Sequence, residues 1–149
     1  MPNPYTYHYG MNAGADANLV QDIAKAINGQ YNAISCYGEL AKMAPDDRER
    51  AQILEIREDE VRHYQIFSRI YMTLTGRQHA PQITEACPKQ YSAGLEWALK
   101  DEQKTVDFYH EIADKAHDPR IREPFRRAAA DEQNHAVWFL YFFTKQRMA

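Results

Sequence analysis

The chain has 149 residues, which is enough for one domain with a buried core. Hydrophobic residues make up 44% and charged residues 26%, the composition of a globular protein. The net charge of −3 gives no reason to expect nucleic acid or an anionic membrane as a partner. Cys36 and Cys87 have neither zinc-site nor redox-motif spacing, so we predict reduced thiols in a cytoplasmic protein.

The first fifteen residues carry alternating tyrosines (Tyr5, Tyr7 and Tyr9) among prolines, asparagines and glycines. This composition predicts a flexible tail at 1–15, followed by a domain at 16–149. The chain starts without a basic segment followed by an apolar run, so no signal peptide is predicted. No apolar stretch is long enough to span a bilayer.

Apolar residues at alternating spacings of four and three predict two helices in the first half of the chain. The first helix spans about 16–44, with its N-cap at the first of these residues, and ends before Pro45. The second begins at Asp46 or Asp47 and ends near Thr75, beside a glycine stop.

The connection at 77–91 has no periodic pattern. At roughly 3.3 Å per residue it reaches about 50 Å, whereas a thirty-residue helix is about 45 Å long. It can therefore run the length of a bundle and make the third helix, from Ser92 to about His117, parallel to the second. Asp118 and Pro119 then open a fourth helix. The sequence predicts an all-α four-helix bundle of two antiparallel hairpins joined by a long crossover.

Two stretches read Asp-Glu-x-x-His, and each lies in the apolar stripe of a predicted helix. One contains Glu60 and His63, and the other contains Glu132 and His135. A Glu and a His three residues apart on a helix point the same way. Both side chains bind iron, manganese or zinc. One such motif is a weak signal, whereas two in buried stripes predict a metal site.

Two further polar residues are spaced so that they should meet these motifs at one level. Gln30 precedes Glu60 by thirty residues, and Glu102 precedes Glu132 by the same interval. The midpoint of each interval falls at a predicted turn, so both members of a pair lie about 22 Å from that turn. Four helices then bring six side chains into one layer: Gln30, Glu60, His63, Glu102, Glu132 and His135.

Such a layer matches a carboxylate-bridged dinuclear metal site in a four-helix bundle. Three carboxylates and two imidazoles in an apolar seam are costly unless they are paired, and two divalent cations would satisfy them. The alternative is a salt-bridged polar layer, which needs Lys or Arg partners that these stripes lack. Tyr37 and Tyr109 are either hydrogen-bonded neighbours of the ligands, where they would trap radicals, or ordinary core aromatics.

At these motifs the sequence resembles the ferritin-like superfamily, and within it the rubrerythrin and bacterioferritin branch, where both halves carry Glu-x-x-His. The resemblance covers nearly all of the chain outside the predicted tail. It implies a protein that binds two Fe or Mn ions and reacts with dioxygen or peroxide. It also implies a role for each residue: bridging ligands (Glu60 and Glu132), one histidine per metal (His63 and His135) and a terminal ligand (Glu102).

The sequence departs from the family at three positions. Gln30 stands where the family has a terminal glutamate, so we expect it to be a weak ligand or a hydrogen-bond donor to a metal-bound water. The alternative is that the site binds only one metal ion. Thr105 replaces an extra glutamate of rubrerythrin. Val61 replaces the haem-binding methionine of bacterioferritin, so no haem is implied. A rubredoxin-type Cys-x-x-Cys tail is also absent from the sequence, so the resemblance implies an external electron donor.

A second interpretation is a non-catalytic structural or interaction protein that retains the bundle with a partial metal site. The sequence also resembles small ferritin-like proteins of spore-forming bacteria, including spore-coat proteins, which makes the spore coat the alternative location. Aromatic residues at 138–143 lie on more than one face of the last helix. They indicate either a homodimer contact or a buried end of the bundle.

Overall fold

The computed structural model describes residues 13–149, and their side chains from residue 17 onward. Within that range the chain forms four helices and no strand: α1 Ala13–Met43, α2 Asp47–Thr75, α3 Tyr91–Lys115 and α4 Pro119–Met148. The predicted all-α four-helix bundle is confirmed. The first twelve residues of the predicted tail, with its three tyrosines, lie outside the described residues, and α1 begins three residues before the predicted N-cap at Asp16.

Three of the helix ends follow local signals in the sequence. The Asp46 carboxylate accepts a hydrogen bond from the backbone N–H of Glu49 at 2.8 Å and caps α2. Gly76 ends α2 with φ at 71°, in the left-handed region that favours glycine. The Asp118 side chain accepts from the backbone N–H of Arg120 at 2.9 Å and caps α4, which has a proline in its first turn.

Contacts between helix ends give the directions of the four helices. The Tyr91 hydroxyl at the start of α3 donates to Glu49 Oε1 at the start of α2, with a distance of 2.8 Å. These two helices therefore run parallel, as the long crossover predicts. Lys115 at the end of α3 pairs with Asp22 near the start of α1, at 3.1 Å, so α1 and α3 are antiparallel.

The crossover between α2 and α3 lies along α1 and is held there by asparagine side chains. Asn28 Oδ1 accepts a hydrogen bond from the backbone N–H of Gln82 at 3.1 Å. One turn further along α1, Asn32 Oδ1 accepts from the backbone N–H of Thr84 at 3.0 Å. Asn32 Nδ2 also donates to the Thr84 hydroxyl at 2.9 Å. The crossover therefore has a defined path over α1.

A disulfide between Cys36 and Cys87 joins α1 to the end of the crossover. The prediction of reduced thiols is therefore wrong. The two Cα atoms lie 5.2 Å apart, although 51 residues separate the cysteines along the chain. No spacing motif marks such a pair, because only the path of the crossover along α1 brings the two residues together.

The core consists of two apolar clusters on either side of a polar layer. One cluster includes Ile23 and Phe67, and the other includes Leu40 and Phe139. Buried glutamine, glutamate and histidine side chains occupy the layer between them. The fold thus holds ionisable groups out of water in the middle of the bundle. None of the helices in residues 13–149 combines the length and the apolar character that a membrane span needs.

Candidate metal centre

The structure brings all six residues of the predicted layer together in the middle of the bundle. Each of the six side chains is buried, and none is more than 4% exposed. They are Gln30 from α1, Glu60 and His63 from α2, Glu102 from α3, and Glu132 and His135 from α4. The thirty-residue intervals therefore predict the level of each residue in its hairpin correctly.

One nitrogen of each imidazole faces the carboxylates of this layer. His135 Nδ1 lies 2.8 Å from Glu60 Oε1 and 3.5 Å from Glu102 Oε2. His63 Nδ1 lies 2.9 Å from Glu132 Oε1 and 3.8 Å from Glu60 Oε2. Glu60, Glu102, Glu132 and His135 each offer one ligand atom, and these four atoms lie within 4.8 Å of one another. That spacing suits one metal ion, and His63 faces the same glutamates from the other side.

Six buried polar atoms in this layer make no hydrogen bond of good geometry with the described side chains, although both Nδ1 atoms lie within ion-pair distance of a glutamate oxygen. They are Gln30 Oε1, Glu60 Oε1 and Oε2, His63 Nδ1, Glu102 Oε2 and His135 Nδ1. Buried polar atoms normally find partners, and orphaned ones cost free energy. Carboxylate oxygen, amide oxygen and imidazole nitrogen are all ligands of iron and manganese. The residues present therefore fit a pair of divalent metal ions.

The layer is salt-bridged in part, because its glutamates pair with the two imidazoles. Within residues 17–149, the ion pairs of Glu60, Glu102 and Glu132 are all with histidine, and none is with lysine or arginine. Two imidazoles cannot balance three buried carboxylates by charge. The remaining negative charge is neutralised either by protons on the carboxylates or by cations, and divalent cations would supply that charge.

The second nitrogen of each imidazole is held by an aspartate from the opposite motif. His63 Nε2 lies 2.9 Å from Asp131 Oδ2, and His135 Nε2 lies 2.7 Å from Asp59 Oδ2. An imidazole that donates its Nε2 proton to a carboxylate keeps Nδ1 as the ligand atom. These two aspartates were not among the predicted site residues. The signal that could have identified them is the Asp that opens both Asp-Glu-x-x-His motifs.

Tyr37 and Tyr109 both contact residues of the layer. The Tyr37 hydroxyl donates to Glu102 Oε1 at 2.6 Å. Gln30 Nε2 donates to the Tyr109 hydroxyl and lies 3.5 Å from Glu132 Oε1. The amide nitrogen of Gln30 is therefore engaged, and its oxygen is the atom left for a metal. Both tyrosines are hydrogen-bonded neighbours of the layer, one of the two interpretations of the sequence.

Burial and the facing charges shift the pKa values of the histidines and of Glu60. Burial acts to raise the pKa of Glu60, but the imidazoles of His135 and His63 outweigh it and lower the pKa to about 2. Burial acts to lower the pKa of His63, but Asp131, Glu132 and Glu60 raise it to about 11. Burial also acts to lower the pKa of His135, but the carboxylates around it, Glu60 above all, raise it to about 9. Without metal, the imidazoles therefore keep protons beside Glu60.

The pKa values of Glu102 and Glu132 shift upward, opposite to that of Glu60. Burial, followed by the charges of Glu132 and Glu60, raises the pKa of Glu102 well above its usual range. Burial, followed by the charge of Glu60, also raises the pKa of Glu132. Three buried carboxylates this close together are not all ionised unless cations join them. Divalent ions would displace protons from the glutamates and from the histidines, since metal ligands must be deprotonated.

Four helices, two facing Glu-x-x-His motifs and one further polar residue from each remaining helix define the class of ferritin-like bundles with a di-metal site. The chain belongs to the Rubrerythrin family, whose model matches residues 21–142. The matched segment includes all six residues of the layer.

Individual relatives agree with this assignment. The protein YhjR of Bacillus subtilis (strain 168) is 46% identical over 143 residues, which are 95% of this chain and 99% of YhjR. A bacterioferritin from Desulfovibrio desulfuricans, described with its diiron site in different catalytic states, superposes with a TM-score of 0.79 at 20% identity, over 91% of this chain and 83% of the bacterioferritin. A hypothetical protein from Pyrococcus furiosus gives a TM-score of 0.74 at 17% identity, over 85% of this chain and 88% of that protein. The two structures establish the ferritin-like fold.

Proposed function

We propose that this protein is a ferritin-like oxidoreductase that binds two Fe or Mn ions and reacts with dioxygen or peroxide. The observation that carries this proposal is the convergence of six orphaned carboxylate, amide and imidazole atoms in one buried layer. Metal ions would satisfy these atoms and balance the carboxylates. When bound, such a metal pair supplies the electrons that reduce the oxidant.

The distances within the layer suggest how the residues divide between two metal positions. Glu60 lies beside both imidazoles, at 2.8 Å and 3.8 Å, and would therefore serve both metal positions. The same role for Glu132 follows from the resemblance to rubrerythrin. Glu102 and His135 would hold one ion, because their ligand atoms lie 3.5 Å apart. His63 would hold the other ion with Gln30, which is the weaker ligand because its oxygen is neutral.

The residues around the layer would keep this arrangement in place. Asp59 and Asp131 orient the imidazoles, and Tyr37 holds one oxygen of Glu102. The apolar clusters on both sides limit the access of water. Electrons for repeated turnover would come from a separate donor.

Anaerobic loading with Fe(II), followed by addition of dioxygen or peroxide, tests the proposal. We expect the loaded protein to consume oxidant faster than the same concentration of free Fe(II). Glu132→Gln removes a bridging carboxylate and should return the rate to that of free Fe(II). Glu111→Gln, an exposed change on α3, is the matched control and should behave as the wild type. A wild-type rate equal to that of free Fe(II) would contradict the proposal.

A non-catalytic structural role with a partial metal site is the second candidate, and Gln30 is the observation that favours it. Gln30→Glu tests this directly, with the exposed Gln103→Glu as its control. A large gain in affinity for the second metal and in turnover would indicate a natural protein that has moved away from oxidant chemistry. Little change would indicate that the amide oxygen serves as an adequate ligand.

We further propose that the protein is a homodimer that associates through the outer face of α4. The cytoplasm remains the proposed location, with the spore coat as the alternative. The disulfide between Cys36 and Cys87 counts against the cytoplasm in this choice, because structural disulfides persist in oxidising compartments and are rare in the cytosol.

A further inference from the structure

Tyr37 is connected to one of the proposed metal positions through a single side chain, Glu102. The Tyr37 ring is fully buried, and its hydroxyl donates to Glu102 Oε1 at 2.6 Å. The other oxygen of this carboxylate, Oε2, faces His135 Nδ1 at 3.5 Å and makes no hydrogen bond of good geometry. The proposed function assigns that oxygen to a metal ion. The Tyr37 hydroxyl would therefore lie one carboxylate away from the metal.

Trp97 continues this connection toward the surface of the bundle. Its ring meets the Tyr37 ring edge to face, with 6.3 Å between the ring centroids and 77° between the ring planes. Such a separation is typical of aromatic rings in contact. Trp97 is half-buried, and its Nε1 donates to Oε2 of the exposed Glu85 at 3.2 Å. The indole thus lies at the outer end of a path that leads from the polar layer to solvent.

The two rings have the chemistry that a path for electrons needs. Tyrosine and tryptophan are the aromatic side chains that lose an electron most readily, and each also loses a proton when it does so. The Tyr37 hydroxyl and the Trp97 N–H group already donate to carboxylates, Glu102 and Glu85 respectively. Each ring therefore has a neighbour that can hold its proton while the electron is absent.

The second tyrosine of the layer has no such continuation. Tyr109 is also fully buried, and its hydroxyl accepts a hydrogen bond from Gln30. Within residues 17–149 its ring contacts are all with phenylalanines, which give up an electron far less readily than tyrosine does: Phe67, Phe108 and Phe125. Tyr109 therefore serves as an internal comparison, since it contacts the layer without a path to the surface.

We propose that Trp97 and Tyr37 form an electron relay, through which a one-electron donor at the surface reduces the metal layer. Trp97 is the point at which electrons enter, and Tyr37 is the ring that passes them to the layer. The inference rests on the proposed function, because the dioxygen or peroxide of that reaction is the oxidant that draws the electrons. It assigns the place at which the separate donor delivers them.

The steps of the relay balance in electrons and protons. Tyr37 gives one electron to the layer, and its phenolic proton moves along the hydrogen bond to Glu102 Oε1. Trp97 then gives one electron to the Tyr37 radical, which takes its proton back, while the indole proton moves to Glu85 Oε2. The donor finally returns one electron to Trp97, and Glu85 returns the proton. Both rings are then restored, and one electron has passed from the donor to the layer.

The contact between the two rings is tested in the full chain loaded with zinc, which binds carboxylate and imidazole ligands but has no redox chemistry. Photo-oxidised ruthenium tris(bipyridine) in solution removes an electron from accessible rings. The sequence has two tryptophans, so Trp138→Phe leaves Trp97 as the source of every tryptophan radical. Flash photolysis follows the tryptophan and tyrosine radicals by their separate absorption bands.

In this background we expect the Trp97 radical to decay while a tyrosine radical forms at the same rate. The rate should not depend on protein concentration, because the transfer takes place within one chain. Adding Tyr37→Phe should abolish the coupled rise and prolong the Trp97 radical, since the neighbouring ring no longer supplies an electron. Adding Tyr109→Phe, the matched control, should leave the coupled rise unchanged.

A second measurement follows electrons in the inward direction. The iron-loaded protein is oxidised once with peroxide, and reduced methyl viologen is then added as the one-electron donor. Trp97→Phe should slow the loss of the ferric absorption, whereas Trp138→Phe should not. Because Trp97 is half-buried and the change is conservative, this variant keeps the test decisive if circular dichroism shows that Tyr37→Phe fails to fold.

Two results would overturn the relay in protein that has taken up metal. One is a Trp97 radical that decays without a tyrosine radical, or with one that persists in Tyr37→Phe. The other is a rate of iron reduction that Trp97→Phe leaves unchanged. Metal uptake is measured separately by elemental analysis. A protein that takes up neither zinc nor iron would contradict the proposed function itself and leave the relay without an acceptor.

Discussion

Each imidazole of the polar layer is held between two carboxylates that both come from the facing helix. His63 on α2 has Glu132 at one nitrogen and Asp131 at the other, at 2.9 Å each, and both partners lie on α4. His135 on α4 has Glu60 and Asp59 of α2 at 2.8 Å and 2.7 Å. The two motifs therefore complete each other across the bundle, and the rings are oriented before any metal binds.

The aspartates that hold these rings should contribute to metal binding without touching the metal. We predict that Asp59→Asn and Asp131→Asn each lower metal affinity by about 10- to 100-fold. The reason is that an amide fixes the orientation and proton position of the imidazole less firmly than a carboxylate does. Competition with a chelator of known affinity measures the change. Asp114→Asn, an exposed change on α3, serves as the control, and an unchanged affinity in both test variants would contradict the assigned role.

The six residues of the layer were predictable because helical spacing and hairpin symmetry depend only on sequence intervals. Glu60 and His63 share a face by their spacing, and the turns at Pro45 and at Asp118 set the level of both hairpins. The roles of Asp59 and Asp131 were not predictable in this way. Each precedes a glutamate by one residue and so points to another side of its helix, and its contact depends on how α2 packs against α4.

At the scale of elements, the crossover is attached to a stripe of α1 that borders the core, with Cys36 buried in it. Asn28, Asn32 and Cys36 are four residues apart, and all three hold the crossover. Their successive partners, Gln82, Thr84 and Cys87, follow the same order along the chain. The crossover therefore runs parallel to α1.

The disulfide should stabilise this attachment mainly by restricting the unfolded chain. We predict that the double change Cys36→Ser and Cys87→Ser lowers the free energy of unfolding by about 2–4 kcal/mol. The loop that the bond closes is long, with a sequence separation of 51 between the cysteines, and this favours a value in the upper part of that range.

Urea unfolding under non-oxidising and oxidising conditions measures this contribution. The wild type with reductant should match the double variant, and the variant should be insensitive to reductant. Helix content should stay the same in both, because the α helices do not depend on the bond. Equal stability of wild type and variant under oxidising conditions would contradict the prediction.

The length of the crossover was predictable from the sequence, whereas its attachments were not. Fifteen residues without periodicity had to span the bundle, and this correctly placed α3 parallel to α2. The asparagines and Cys36 lie off the stripe of α1 that the sequence predicts, and nothing in the sequence indicates their partners. Cys87 reaches Cys36 only after the whole path is known, so reduced thiols were the wrong expectation.

At the scale of the whole molecule, the outer face of α4 carries three of the large apolar residues that are exposed among residues 17–149. Val137, Leu140 and Tyr141 are 59%, 49% and 53% exposed and lie within about one turn of one another. Phe139 and Phe142, on the other face, are buried in the core. The apolar residues of this segment thus lie on both the buried and the exposed side of α4, which explains why the sequence is apolar on more than one face of the helix.

We predict that this face joins two copies about a two-fold axis, because such an interface pairs a patch with itself. Light scattering after size exclusion should give the mass of a dimer for the wild type. The double change Val137→Lys and Leu140→Lys should give a monomer, because it places like charges across the interface. Leu54→Lys alters another exposed apolar residue, on α2, and should leave the dimer intact. A monomeric wild type would contradict the prediction.

Metal content per chain tests the dinuclear site most directly. The measurement is elemental analysis of the purified protein after expression with both iron and manganese supplied, and after saturation and removal of unbound metal. We predict two equivalents of Fe or Mn per chain, because the layer offers orphaned ligand atoms on the sides of both His63 and His135. A content of one equivalent would contradict a di-metal centre and would indicate that Gln30 has disabled the position it shares with His63. A content of zero would contradict any metal centre in this layer.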